Sequence, residues 1–193
     1  MMEQLVALVS AFVYVFVIID PLASLPMFIS LTEKMKEREI RKSARDAVII
    51  AGIVATVFLI GGTFILDLMK IDMSSFRIAG GIVLGLLGLE TVLGFHGSNE
   101  KNGDKSAVVT LIATPMLTGP GLITALIVMS SEEGMIVPFV AMVLALLASW
   151  IVFDRAVSIR NLLGRRTIDI FSKVFGLFLV AMGVSFIKAG LGA

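Results

Sequence analysis

Apolar residues along this chain come in long blocks rather than in alternation. They dominate 5–31, 48–66, 78–94, 107–129, 135–153 and 174–191, with polar and charged residues gathered between the blocks. Such blocks match the roughly 20 residues that carry a helix across about 30 Å of hydrocarbon. The pattern predicts an all-α membrane protein with six transmembrane helices. The first block, 5–31, would be about 40 Å long as one straight helix, more than a single crossing needs.

Two blocks are interrupted in the same way. The first contains Ile18-Ile19-Asp20-Pro21-Leu22-Ala23-Ser24-Leu25-Pro26-Met27, and the fourth contains Ile112-Ala113-Thr114-Pro115-Met116-Leu117-Thr118-Gly119-Pro120-Gly121. Each motif has two prolines five apart, a polar residue before the first and a hydroxyl two before the second. A proline inside a helix removes one backbone bond and clashes with the carbonyl four residues earlier. Spans 1 and 4 are therefore expected to be broken at mid-membrane, the first into half-helices 4–19 and 25–32. The motifs lie 94 residues apart, and Arg77-Ile78-Ala79-Gly80 and Lys173-Val174-Phe175-Gly176 open the third and sixth spans at nearly that offset. Three spans per half is an odd number, so the halves must cross in opposite senses. Residues 1–97 read as one three-helix repeat and 98–193 as a second, inverted one, with the polar loop 96–105 at their boundary.

Composition narrows the class. Of 193 residues 58% are hydrophobic and 16% charged, and the mean hydropathy of +1.01 excludes an ordinary soluble domain. A net charge of +1 says nothing about partners. The absence of cysteine excludes disulfides, thiolate metal sites and thiol catalysis, and the single histidine, His96, reads as a loop residue. No metal or cofactor is expected. Met1-Met2-Glu3-Gln4 lacks the basic region of a signal peptide, so the first block is expected to remain as a span. The charged stretch 33–42 reads as a solvated helix near the membrane surface rather than a nucleic-acid site. Residues 154–173, basic and carrying Gly164, read as a connector with an interfacial helical piece.

With the N-terminus outside, thirteen Lys and Arg residues fall on the cytoplasmic side and only Lys70, Arg77 and Lys188 outside. The bias predicts a multi-pass protein of the cell membrane with both termini outward.

A broken helix leaves carbonyls unpaired at the end of its first half and N–H groups unpaired at the start of its second. Such backbone must be buried in protein or line a wet cavity. Here the second halves are expected to begin at Ser24-Leu25-Pro26 and Thr118-Gly119-Pro120, where proline suits the first turn and Ser24, Thr118 or Gly119 can cap it. Two positive helix ends meeting at mid-membrane form an anion site suited to a carboxylate. Freed carbonyls around 17–19 and 111–113, with Asp20, supply negative potential nearby. The candidate substrate-binding residues are Asp20, Pro21, Ala23, Ser24, Leu25, Pro26, Thr114, Pro115, Thr118, Gly119, Pro120 and Gly121. A site with both poles fits a zwitterion, and a free amino acid is the simplest one.

Asp20 admits several roles, because a carboxyl at mid-membrane is costly. It can hold a substrate ammonium, carry a coupled proton, or cap a helix as a neutral acid. Glu90, near the cytoplasmic end of the third span, reads as snorkelling to the interface. Gly80, Gly81, Gly85 and Gly88, and Gly176, Ala181 and Gly183, make small-residue faces whose usual meaning is close helix packing. Trp150 reads as an interfacial anchor.

At Asp20-Pro21-Leu22, Leu25-Pro26, Phe28-Ile29-Ser30-Leu31-Thr32, and again at Pro115, Gly119-Pro120-Gly121-Leu122-Ile123-Thr124, the sequence resembles the MarC family of integral membrane proteins. The resemblance covers essentially the whole chain. It implies movement of glycine- or alanine-sized neutral amino acids. Where family members often carry Asn and Gly, this chain has Asp20 and Ala23.

The leading expectation is a secondary transporter of small neutral amino acids working by alternating access, coupled to protons or sodium or to the substrate's own gradient. The alternative is an ion or small-solute channel. An intramembrane enzyme using Asp20 and Glu90 ranks last, because the two carboxyls sit at different depths. No nucleic-acid partner is expected, and the sequence leaves oligomeric state open.

Overall fold

The computed structural model describes residues 2–33, 35–94 and 117–192. Within them the chain forms seven helices: α1 Met2–Ile19, α2 Pro21–Thr32, α3 Glu37–Leu68, α4 Met73–Leu93, α5 Pro120–Glu133, α6 Ile136–Asp154 and α7 Ala156–Leu191. Five segments are long and apolar enough to cross a membrane, namely Val6–Thr32, Glu37–Leu68, Met73–Leu93, Ile136–Asp154 and Arg166–Leu191. The fourth expected span is represented by α5. Its first half, with Thr114 and Pro115, lies outside the described residues, as does all of the expected boundary loop 96–105 with His96.

Local chemistry sets the helix ends. Asp72 precedes α4 and accepts hydrogen bonds from the Ser75 N–H at 2.8 Å and the Ser75 hydroxyl at 2.7 Å, satisfying donors that the first turn leaves free. Gly94 closes α4 with φ 75° and Gly192 closes α7 with φ 74°, a left-handed backbone that glycine adopts without penalty.

One expectation about spans needs correction. The charged stretch 33–42 is not a separate surface helix, since α3 runs unbroken from Glu37 to Leu68. Glu, Arg, Lys and Ala are good helix formers, Glu37 and Arg41 pair one turn apart at 2.9 Å, and nothing between them and the apolar block stops the helix. At 32 residues α3 is about 48 Å long, so its first turns extend beyond a hydrocarbon core of about 30 Å. The connector 154–173 does carry a helical piece, which begins at Ala156 and ends at Gly164, whose φ of 73° and ψ of 156° are non-helical and kink α7 before the apolar span Arg166–Leu191.

Small residues decide which helices meet. Ala44, Ala47, Ala51, Ala55 and Gly62 line one face of α3, and Ala141, Ala145 and Ser149 line the facing side of α6. Between them α5 is buried almost continuously from Gly121 to Met129. The most extensive pairing joins α4 to α7. Large apolar side chains such as Ile53, Ile60, Phe64, Leu86, Leu147 and Phe178 point outward, as expected of a surface solvated by lipid rather than water.

Candidate substrate site at the break between α1 and α2

The first motif does interrupt its helix. Asp20 sits between α1 and α2 in the left-handed conformation, φ 42° and ψ 62°. Pro21 explains this: it disfavours the right-handed helical region for the residue before it, and Asp is among the few non-glycine residues that tolerate the left-handed alternative. Backbone bonding survives on both sides, with the Asp20 N–H donating to the Phe16 carbonyl at 3.1 Å and the Ser24 N–H donating to the Asp20 carbonyl at 3.3 Å. Pro21 has no N–H to give, so the Val17 carbonyl loses its helical partner.

The second half-helix starts earlier than expected. It begins at Pro21 rather than Leu25, and Pro26 lies inside it. Capping is the reason: Asp20 Oδ1 accepts from the Ala23 N–H at 3.1 Å, and the Ser24 hydroxyl donates to the Asp20 carbonyl at 3.3 Å. With the first turn held this way, proline at the first helical position costs nothing. Pro26, deeper in, cannot donate to the Leu22 carbonyl, so a second carbonyl is released. Pro21 therefore holds the place in α2 that Pro120 holds in α5, each being the first residue of its helix.

Asp20, Ser24, Ala23, Leu25 and Pro21 are all buried. Asp20 Oδ2 has no hydrogen-bond partner among the described residues, an expensive arrangement for a buried carboxyl. The second motif supplies Thr118, Gly119 and Gly121, also buried, while Pro120 is exposed. Gly119 precedes α5 in extended conformation, and no side chain caps that helix. α2 packs mainly against α6 and α7, α5 against α1, α3, α4 and α6, so α6 is the neighbour they share.

Sequence reasoning passed over two groups on α4 and α5. Thr124, buried in α5, donates its hydroxyl to the Pro120 carbonyl at 2.8 Å, and its methyl occupies the space a side chain at Gly80 would need. Arg77 of α4 forms an ion pair with Glu132 at the end of α5, and its Nε is buried without a partner. The available signal was a single arginine at the start of one apolar block and a pair of glutamates at the end of another. Glu90 is exposed near the end of α4, consistent with snorkelling.

The sequence model described as MarC family integral membrane protein matches residues 5–193. Among relatives, the UPF0056 membrane protein of Archaeoglobus fulgidus is 35% identical, covering 94% of this chain and 91% of its own. The UPF0056 membrane protein of Methanocaldococcus jannaschii is 33% identical over 94% of each chain. The UPF0056 membrane protein YhcE of Escherichia coli is 30% identical over 93% of this chain and 89% of its own. No solved structure matches. Apolar helices and a match that runs over residues 5–193 agree: the chain belongs to the MarC family of integral membrane proteins.

Proposed function

We propose that this protein is a secondary transporter of small neutral amino acids, with the substrate bound between the broken first and fourth spans. The observation that carries the reading is the break at Asp20, where a buried carboxylate oxygen without a partner among the described residues adjoins the start of α2. A helix start favours an anionic group and freed carbonyls favour a cationic one, so the environment suits a solute carrying both charges. Ala23, Ser24 and Leu25 beside Asp20 are buried with it.

Alternating access needs two halves that can exchange roles, and the α4–α7 contact supports inverted repeats. Gly81 meets Gly183 and Gly88 meets Gly176 across antiparallel helices. Gly176 and Gly183 lie 95 residues after Gly81 and Gly88. Exchanging each residue with its counterpart at that offset turns one contact into the other. A two-fold axis perpendicular to both helices, and so in the membrane plane, does the same. The pairing of α2 with α7 and of α4 with α5 follows the same exchange.

The test is reconstitution of purified protein in liposomes loaded with alanine. Saturable, stereoselective exchange of external labelled alanine is the expected result. Ionic currents in planar bilayers without saturable exchange would replace the transporter with a pore.

A further inference from the structure

A cavity of about 240 Å³ lies between the C-terminal half of α2 and the kinked start of α7, lined by Pro26, Ile29, Ser30, Glu33, Arg160 and Ile168. It is smaller than the pockets of drug-sized ligands, which begin at about 300 Å³. It is also distinct from the break. Pro26 is six residues beyond Asp20, about 9 Å along the helix axis, and Glu33 is about 10 Å farther on.

The wall has an unusual composition for a helical membrane protein. Among the described residues it carries one carboxylate and one guanidinium, and neither is in an ion pair with the other or with any described residue. Two opposite charges that share a cavity without touching leave a gap that a solute with both charges can bridge. The Ser30 hydroxyl adds a neutral donor and acceptor. Ile29, Ile168 and the Pro26 ring form an apolar wall. Gly164 creates the space: its positive φ kinks α7 between Arg160 and Ile168.

We propose that this cavity is a second binding site, for a small zwitterion whose carboxylate is held by Arg160, whose ammonium is held by Glu33, and whose short apolar group lies against Ile29 and Ile168. Its place on the route to Asp20 rests on the transporter reading; the site itself does not. A phosphoethanolamine headgroup has the same pair of charges but no apolar group for that wall, so a free solute fits better.

The chain contains no cysteine, so Ser30→Cys introduces a unique thiol. In lipid-free micelles, alanine is expected to slow its labelling by a small water-soluble thiol reagent, while ethylamine and propionate, each carrying half of the charge pair, do not. Adding Arg160→Gln or Glu33→Gln is expected to weaken protection about tenfold in alanine concentration. Protection that survives both substitutions unchanged overturns the site, since it would then arise from binding elsewhere. Absence of protection by alanine overturns it too, and protection seen only in nanodiscs containing phosphatidylethanolamine reassigns it to a lipid headgroup. Alanine exchange in liposomes is measured separately, so that protection without exchange refutes transport and leaves the cavity site standing.

Discussion

A β-carbon added at Gly81 would lie 2.5 Å from the carbonyl oxygen of Gly183, and one added at Gly183 would lie 2.5 Å from the carbonyl oxygen of Gly81. The same reciprocity joins Gly88 to Gly176, at 2.5 and 2.9 Å, and Gly190 comes within 2.7 Å of the Ser74 carbonyl in this sense. Small residues one heptad apart thus let the backbones of α4 and α7 meet along their length. In lipid, where apolar side chains gain little by leaving their solvent, such close backbone packing supplies much of the association energy.

Gly81→Ala and Gly183→Ala are therefore expected to destabilise the protein by about 1–3 kcal/mol, because the new methyl meets backbone that cannot rotate away. Gly85→Ala, on the same helix with nothing within 4 Å of the added atom, is expected to be neutral or to gain about 0.5–1 kcal/mol from helix propensity. Thermal unfolding in detergent, comparing the three variants, checks the contrast. Equal effects at Gly81 and Gly85 would sink the packing argument.

Asp20→Asn keeps an acceptor for the Ala23 N–H and a residue that tolerates positive φ. Unfolding is expected to change little. If the carboxylate holds a substrate ammonium, alanine affinity falls by roughly 1–2 kcal/mol, about tenfold. Asp20→Val loses the cap and places a β-branched residue at φ 42°, at a cost of about 2–3 kcal/mol in stability. Binding by calorimetry and unfolding on both variants separate charge from backbone. Unchanged affinity across pH in Asp20→Asn would leave the residue as a helix cap alone.

The Arg77–Glu132 pair ties α4 to α5, with the Arg77 side chain 19% exposed and that of Glu132 49% exposed. Partial exposure limits its worth to about 1 kcal/mol. Arg77→Glu is expected to lower stability by placing like charges together, and adding Glu132→Arg should recover most of the loss. A double variant no better than the single one would mean that the pair contributes nothing specific.

Asp72 gives a pH dependence outside the membrane. The Ser75 hydroxyl, and after it the Ser75 N–H, hold its carboxyl below the usual aspartate range. The folded value is depressed, so the stabilisation is complete above the ordinary aspartate pKa of about 3.9 and is lost as pH falls through the folded value. Unfolding temperature should drop between pH 5 and about pH 2 less steeply in Asp72→Asn than in the natural protein. Parallel curves would assign the acid sensitivity to other carboxylates.

Orientation can be read with single cysteines at exposed sites. Ser43 is unsuitable, being 5% exposed with its hydroxyl directed at the Met35 sulfur 3.9 Å away. Cysteines replacing Lys42 and Ser158, both exposed, are expected to be shielded from an impermeant reagent applied to intact cells, and one replacing Ser131 is expected to react. The reverse pattern would invert the topology.

Much of this architecture is local in origin and was legible from the chain. Block length gives the spans, and proline chemistry alone places a break beside Asp20, because a missing N–H and a restricted preceding residue need no tertiary partner. The point where the helix resumes was misplaced at Leu25, although the signal is local: Asp20 before Pro21 is a capping residue followed by proline at the first helical position, and it accepts from the Ala23 N–H three residues on. Continuity of 37–68 was also missed, because the change from charged to apolar residues marks the membrane boundary and not the end of a helix. Contacts between distant residues were beyond reach. Arg77 meets Glu132 across 55 positions, and Glu33 shares a cavity with Arg160, only because the helices pack as they do. In water, polarity reveals which face of a helix is buried. In lipid both faces are apolar, so the hydrophobic pattern fixes that a helix spans, while close approach at residues such as Gly81 and Gly183, seen only in the folded chain, decides what it spans beside.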